Sequence, residues 1–144
     1  MEISEITAIS ELGMKFESMR MKVASTNIAF ANQVSGSPET VFKPMVLSSN
    51  LGEISASTSI NFDQFVEQLK SRMVFDVTSE ARVKPVHSPN NPLSDSAGFV
   101  YKPDVDMVTE MLTLSTATRA YEANIRAFNT YSSMSSKALE IGKR

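Results

Sequence analysis

Ile9, Leu12, Phe16, Met19, Val23, Thr26 and Phe30 follow one another at alternating steps of three and four. This is the spacing of a coiled-coil seam, and it predicts an amphipathic helix near the N-terminus. Ser4 is placed to cap its start, and it should end near Gln33, before Gly36-Ser37-Pro38. At the α-helical rise its length would be about 45 Å. A second series runs Met107, Met111, Leu114, Thr118, Tyr121, Ile125, Phe128, Ser132, Ser135 and Leu139. It predicts a helix of about 55 Å, with Asp104 as N-cap, Asp106 in the first turn and Gly142 at the C-terminal end. A further stripe, Ala117, Ala120, Asn124, Ala127, Tyr131, Met134 and Ala138, keeps the same rhythm rotated by one residue. One helical partner covers one stripe, so two stripes require two partners or a broad buried face.

All six prolines lie between Pro38 and Pro103. Proline removes an N–H and clashes with the preceding turn, so the long helices are confined to the two ends. Within the middle, Val41 to Leu47 reads as an edge strand interrupted by Pro44, and Asn50-Leu51-Gly52 as a turn. Residues 61–72 have helical spacing. Met73 to Val77 and Arg82 to Val86 read as the strands of a small hairpin. Pro85 to Pro103 reads as extended chain pinned by its neighbours. The expected fold is mainly α: long N- and C-terminal helices packed as a coiled-coil-like pair around a small β/loop-rich middle. The segments are residues 1–35, 36–103 and 104–144, in one structural unit.

Composition narrows the function. Fourteen Lys and Arg against sixteen Asp and Glu leave a net charge of −2, and no long basic run marks a nucleic-acid partner. Cysteine is absent, which removes disulfides and thiolate metal sites. Glu2, Glu5 and Glu11 interrupt the N-terminus, so no cleaved secretory signal is expected. His87, the single histidine, lies in a proline-rich stretch away from any carboxylate pair and reads as a surface residue. Asp104 and Asp106 are better explained as helix-start residues than as metal ligands. The serine run at 132–136 has no base to activate it. No phosphate-binding glycine loop, zinc-protease motif or nucleophile elbow occurs. No catalytic, cofactor, metal or small-molecule site is expected. Periodicity by itself leaves open a soluble helical adaptor or chaperone-like binding module whose seam receives a partner helix.

Two motifs go further. Val23-Ala24-Ser25-Thr26-Asn27-Ile28-Ala29-Phe30-Ala31-Asn32, followed by Ser35-Gly36, resembles the N-terminal signature of bacterial flagellar rod and hook proteins. Arg119-Ala120-Tyr121-Glu122-Ala123-Asn124 resembles an element of the same family's last helix. Asn91 to Val100, with Pro103-Asp104-Val105-Asp106 and Glu110-Met111, is similar to the proximal-rod members, which have a short middle segment. The resemblance covers roughly residues 12–37 and 83–142. Phe30 stands where the family usually has Asn, so the first helix is expected to run further before its loop.

What the resemblance implies is a structural subunit of the flagellar basal body. It would be exported through the flagellar type III apparatus without signal cleavage. It would then stack helically, with copies of itself and other rod proteins, into a hollow shaft that carries torque across the periplasm. Assembly contacts would fall on Leu12, Phe16, Met19, Val23, Asn27, Phe30, Met107, Met111, Leu114, Tyr121, Asn124, Ile125, Phe128, Tyr131 and Leu139.

Overall fold

The computed structural model describes residues 3–50, 64, 66–69 and 73–142. The N-terminal helix α1 spans Ile3–Phe30, and the C-terminal helix α2 spans Met107–Ile141. Between them lie β1 (Met45–Asn50), β2 (Val74–Ser79), β3 (Val83–His87) and β4 (Phe99–Pro103). The proline-free ends are helical and the proline-bearing middle holds the strands, as expected from the loss of an N–H at each proline.

Helix termini differ from the expectation. The helix α1 stops at Phe30, short of Gln33. Ala31 N–H bonds to Ile28 O at 3.3 Å and Gln33 N–H to Phe30 O at 2.9 Å, a tightening that takes up the last carbonyls. Phe30 therefore does not prolong the helix. Ser4 lies inside α1. At the start of α2 the cap is Asp106: its Oδ1 accepts from Val108 N–H at 3.1 Å and its Oδ2 from the Thr109 hydroxyl at 2.6 Å. Asp104 is taken by Lys84, with which it forms an ion pair. Gly142 keeps helical bonding, its N–H on Ala138 O at 3.1 Å, and makes no left-handed turn.

Strand pairing also differs. The segments at 73–77 and 82–86 do not pair with each other. The strands β1 and β2 form one two-stranded sheet, β3 and β4 the other. The second is antiparallel, with Val83 opposite Pro103, Pro85 opposite Tyr101 and His87 opposite Phe99. The linker Glu80-Ala81-Arg82 has no residue suited to the positive φ of a tight hairpin turn. Instead Glu80 N–H reaches Pro44 O at 2.8 Å and Arg82 N–H bonds to Glu80 O at 2.8 Å, redirecting the chain. Pro85 is tolerated because β3 has a free edge. The first strand starts at Met45, after Pro44, rather than at Val41. Pro85 to Pro103 is more structured than expected, since it supplies β4 and a bonded turn. Of the segment 61–72, residues 64 and 66–69 are helical and the others lie outside the described residues, as do Leu51 and Gly52 of the expected turn.

The described residues form two compact units. One draws on residues 1–19, 49–76 and 116–144, the other on 20–48 and 77–115. In the first, Ala8, Ser10, Val66 and Ala117 are buried. In the second, Val23, Ala24, Asn27, Val41 and Val100 are buried. The helical members of both cores are mostly small, which lets neighbouring backbone approach closely.

Candidate functional site

The second unit is organised around Asn27, which is 1% exposed. A buried amide must find partners for both its oxygen and its N–H₂. The Oδ1 of Asn27 accepts from Met45 N–H at 2.8 Å, and its Nδ2 donates to Met45 O at 2.9 Å. This pairing mimics a strand neighbour and fixes where β1 begins. The second Nδ2 hydrogen goes to Glu110 Oε1 at 2.9 Å. One side chain of α1 therefore holds the entry of β1 and the first turns of α2. Sequence reading named Asn27 as an assembly contact and Glu110 only within a family motif; it did not pair the two and missed Met45. A polar residue amid Val23 and Ala24 was the available signal.

The segment leaving α1 is held at three points. Phe30 stacks on Phe42, with ring centroids 4.8 Å apart and planes at 23°. Ser35 pairs with Tyr101 through two backbone bonds of 2.9 and 2.8 Å, and its hydroxyl contacts that of Thr40. Gly36 approaches Leu93 so closely that a β-carbon there would stand 2.7 Å from the Leu93 carbonyl oxygen. The glycine of the N-terminal motif is thus required by the backbone packed against it.

In the first unit, Phe16 lies 5.4 Å from Phe75, centroid to centroid. These two rings, with Ile9, Leu12, Gly13, Ser49, Leu69 and Met73, line an apolar groove of about 260 Å³. Asn124 rests on Gly13. The inward line of α2 in this unit runs through Ala117, Ala120, Tyr121, Asn124 and Ile125, which belongs partly to each expected stripe. Met19 and Tyr131 are half-buried, and Phe128 is exposed. In the second unit Met107 and Leu114 are half-buried and Val23 is buried.

Other apolar side chains face outward. Met111 is 53% and Leu139 63% exposed, and Val108 and Leu112, which periodicity did not single out, are 76% and 64% exposed. Arg126 and Glu122 make an i,i+4 pair at 3.6 Å on the exposed side of α2. In the serine run, the Ser136 hydroxyl donates to Ser132 O at 3.1 Å, a back-bond to the helix itself. His87 is exposed and sits edge-on to Phe99 at 5.1 Å. Among the described residues no group of three or more His, Asp or Glu side chains could hold a metal ion. No helix among them is long and apolar enough to cross a membrane.

Residues 96–141 match the family model for the C-terminal region of flagellar basal body rod FlgEFG proteins. Over nearly its whole length the chain is similar to curated proteins named flagellar basal-body rod protein FlgC. Identity is 32% to that of Escherichia coli O6:H1, covering 99% of this chain and 100% of the relative. It is 33% to that of Bacillus subtilis strain 168, covering 94% and 95%. It is 26% to that of Aquifex aeolicus, covering 99% of each.

Proposed function

The chain belongs to the FlgC family of flagellar basal-body rod proteins, and from that premise we propose that it forms the proximal part of the rod, stacking helically into a hollow shaft that transmits torque across the periplasm. Its role is that of a structural rod subunit, and its partners are other rod components. In our reading the terminal segments 1–35 and 104–144 build the inner tube, pairing along their seams with each other and with neighbouring copies. Residues 36–103 face adjacent rod proteins. The chain reaches its site through the flagellar export apparatus with its N-terminus uncleaved.

The observation that carries this reading is the apolar surface left open on α2. Val108, Met111, Leu112, Leu139 and Ile141 are each more than half exposed. They form two groups, one near each end of α2, and exposed apolar side chains grouped on a helix mark a surface that another protein covers. An open helical assembly needs such heterologous surfaces, because each copy contacts different patches of its neighbours.

Introducing charge into that surface tests the proposal. Met111→Asp and Leu139→Asp should leave the isolated chain's stability within about 0.5 kcal/mol of wild type, as for other surface substitutions. Export should continue while rod growth and motility are lost. Normal rods assembled from both variants would refute the reading. Intact mass of the protein from purified basal bodies should correspond to an unprocessed N-terminus.

A further inference from the structure

We propose that the Asp95 carboxylate is an acid-labile clasp that fastens Ser35–Gly36, the segment leaving α1, to β4. This inference concerns the second unit alone and does not depend on how copies assemble.

The turn preceding β4 is built on one side chain. Asp95 Oδ1 accepts from Phe99 N–H at 2.8 Å and from Ala97 N–H at 2.9 Å. Its Oδ2 accepts from the Tyr101 hydroxyl at 3.3 Å. The backbone closes the same turn: Asp95 N–H bonds to Phe99 O at 2.8 Å and Gly98 N–H to Asp95 O at 3.0 Å. Gly98 has φ of 78°, a conformation that side-chain-bearing residues rarely adopt. Hydrogen bonds to an ionised acceptor are about twice as strong as neutral ones, so the carboxylate's charge sets the strength of the turn.

That strength is passed to the segment after α1 by two contacts. Tyr101, held by its hydroxyl on Asp95, exchanges both backbone bonds with Ser35. Leu93, two residues before Asp95, presents the carbonyl that abuts Gly36. Within the connection whose ends are held by the Phe30–Phe42 stack and by Asn27 on Met45, Ser35 is where backbone bonds tie the chain to β4. The titratable groups around the carboxylate are Tyr101 of β4 and His87 of β3. His87 lies beside Gly98, its Nε2 3.4 Å from where a β-carbon would stand. The Phe99 N–H above all, then Ala97 and Tyr101, hold the Asp95 carboxyl below its ordinary value of 3.8. The clasp is therefore closed above that ordinary value and opens as pH falls through the lower folded one.

Amide hydrogen exchange by NMR on the full-length protein tests this. In Asp95→Ala at neutral pH, exchange at the Ser35 and Tyr101 amides should rise about tenfold, with the amides of residues 22–26 unchanged. In the wild type, exchange at Ser35, corrected for the intrinsic pH dependence, should rise with the same midpoint as the Asp95 carboxyl carbon shift. Asp95→Asn, which keeps one acceptor oxygen, should fall between wild type and Asp95→Ala. Ser35 protection unchanged in Asp95→Ala, or unlinked to the carboxyl titration, overturns the proposal. So does equal loss of protection throughout α1, which would make Asp95 a determinant of the whole fold instead of a clasp.

Discussion

Asn27 and Glu110 lie 83 residues apart and are joined by a 2.9 Å bond from Nδ2 to Oε1. With the two bonds to Met45, this makes Asn27 a polar residue whose groups are spent inside the chain. Replacing it by an isosteric acid would keep the shape and reverse the chemistry.

Asn27→Asp would turn two donors into acceptors beside the Glu110 carboxylate and the Met45 carbonyl. Destabilisation of about 2–4 kcal/mol is expected at pH 7, from unmet bonds and a like-charge pair. Part should be recovered at pH 5, where one carboxyl of such a pair takes up a proton, and part by adding Glu110→Gln. Urea unfolding at the two pH values measures both effects.

Gly13 sits in the interior of α1, where alanine would ordinarily stabilise by about 1 kcal/mol. Here a β-carbon would stand 2.8 Å from Asn124 Nδ2, 3.2 Å from its Cγ and 3.3 Å from its Oδ1. The whole amide would have to move. Gly13→Ala should therefore fail to stabilise, whereas Gly13→Ala with Asn124→Ala should regain the helix preference. A double-mutant cycle should give a coupling of about 1 kcal/mol or more. Additive effects would mean that Asn124 does not rest on Gly13.

Asp106 should make the start of α2 sensitive to acid. The Thr109 hydroxyl first, then the Val108 N–H, hold its carboxyl below the ordinary value of 3.8. A carboxyl depressed in the folded state stabilises above its unfolded pKa, and the contribution is lost as pH falls through the folded one. Circular dichroism between pH 6 and 2 should show a helix loss in wild type that Asp106→Ala already displays in part at pH 6. Asp104→Ala should not mimic it, because Asp104 pairs with Lys84.

The exposed apolar residues of α2 imply that its order depends on neighbours. Helices in proteins gain most of their stability from packing, and ordering each residue's backbone costs about 1–2 kcal/mol. Amide exchange on a monodisperse monomer should show weak protection over residues 126–141, where nearly every residue is exposed. Protection should rise on assembly. Strong protection of that stretch in the free monomer would show that it folds unaided.

The helices at both ends could be read from the chain itself. Helical spacing and proline exclusion are local properties, set within a few residues of each other. So are the motif Val23 to Asn32 and its counterpart at Arg119 to Asn124, which pointed to the rod family. What tertiary structure decided was partnership. The segments near 74–79 and 83–87 could as well have paired with each other. They instead found β1 and β4, because a strand's neighbour is chosen by contacts distant in sequence. Asp104 had the credentials of a cap until Lys84 captured it, leaving Asp106 to close the helix. Asn27 looked like one more assembly contact, and only folding brought Met45 and Glu110 within bonding distance of it. Local pattern fixes which residues become helix. Desolvation of polar groups, which must be matched in space, fixes which of them meet.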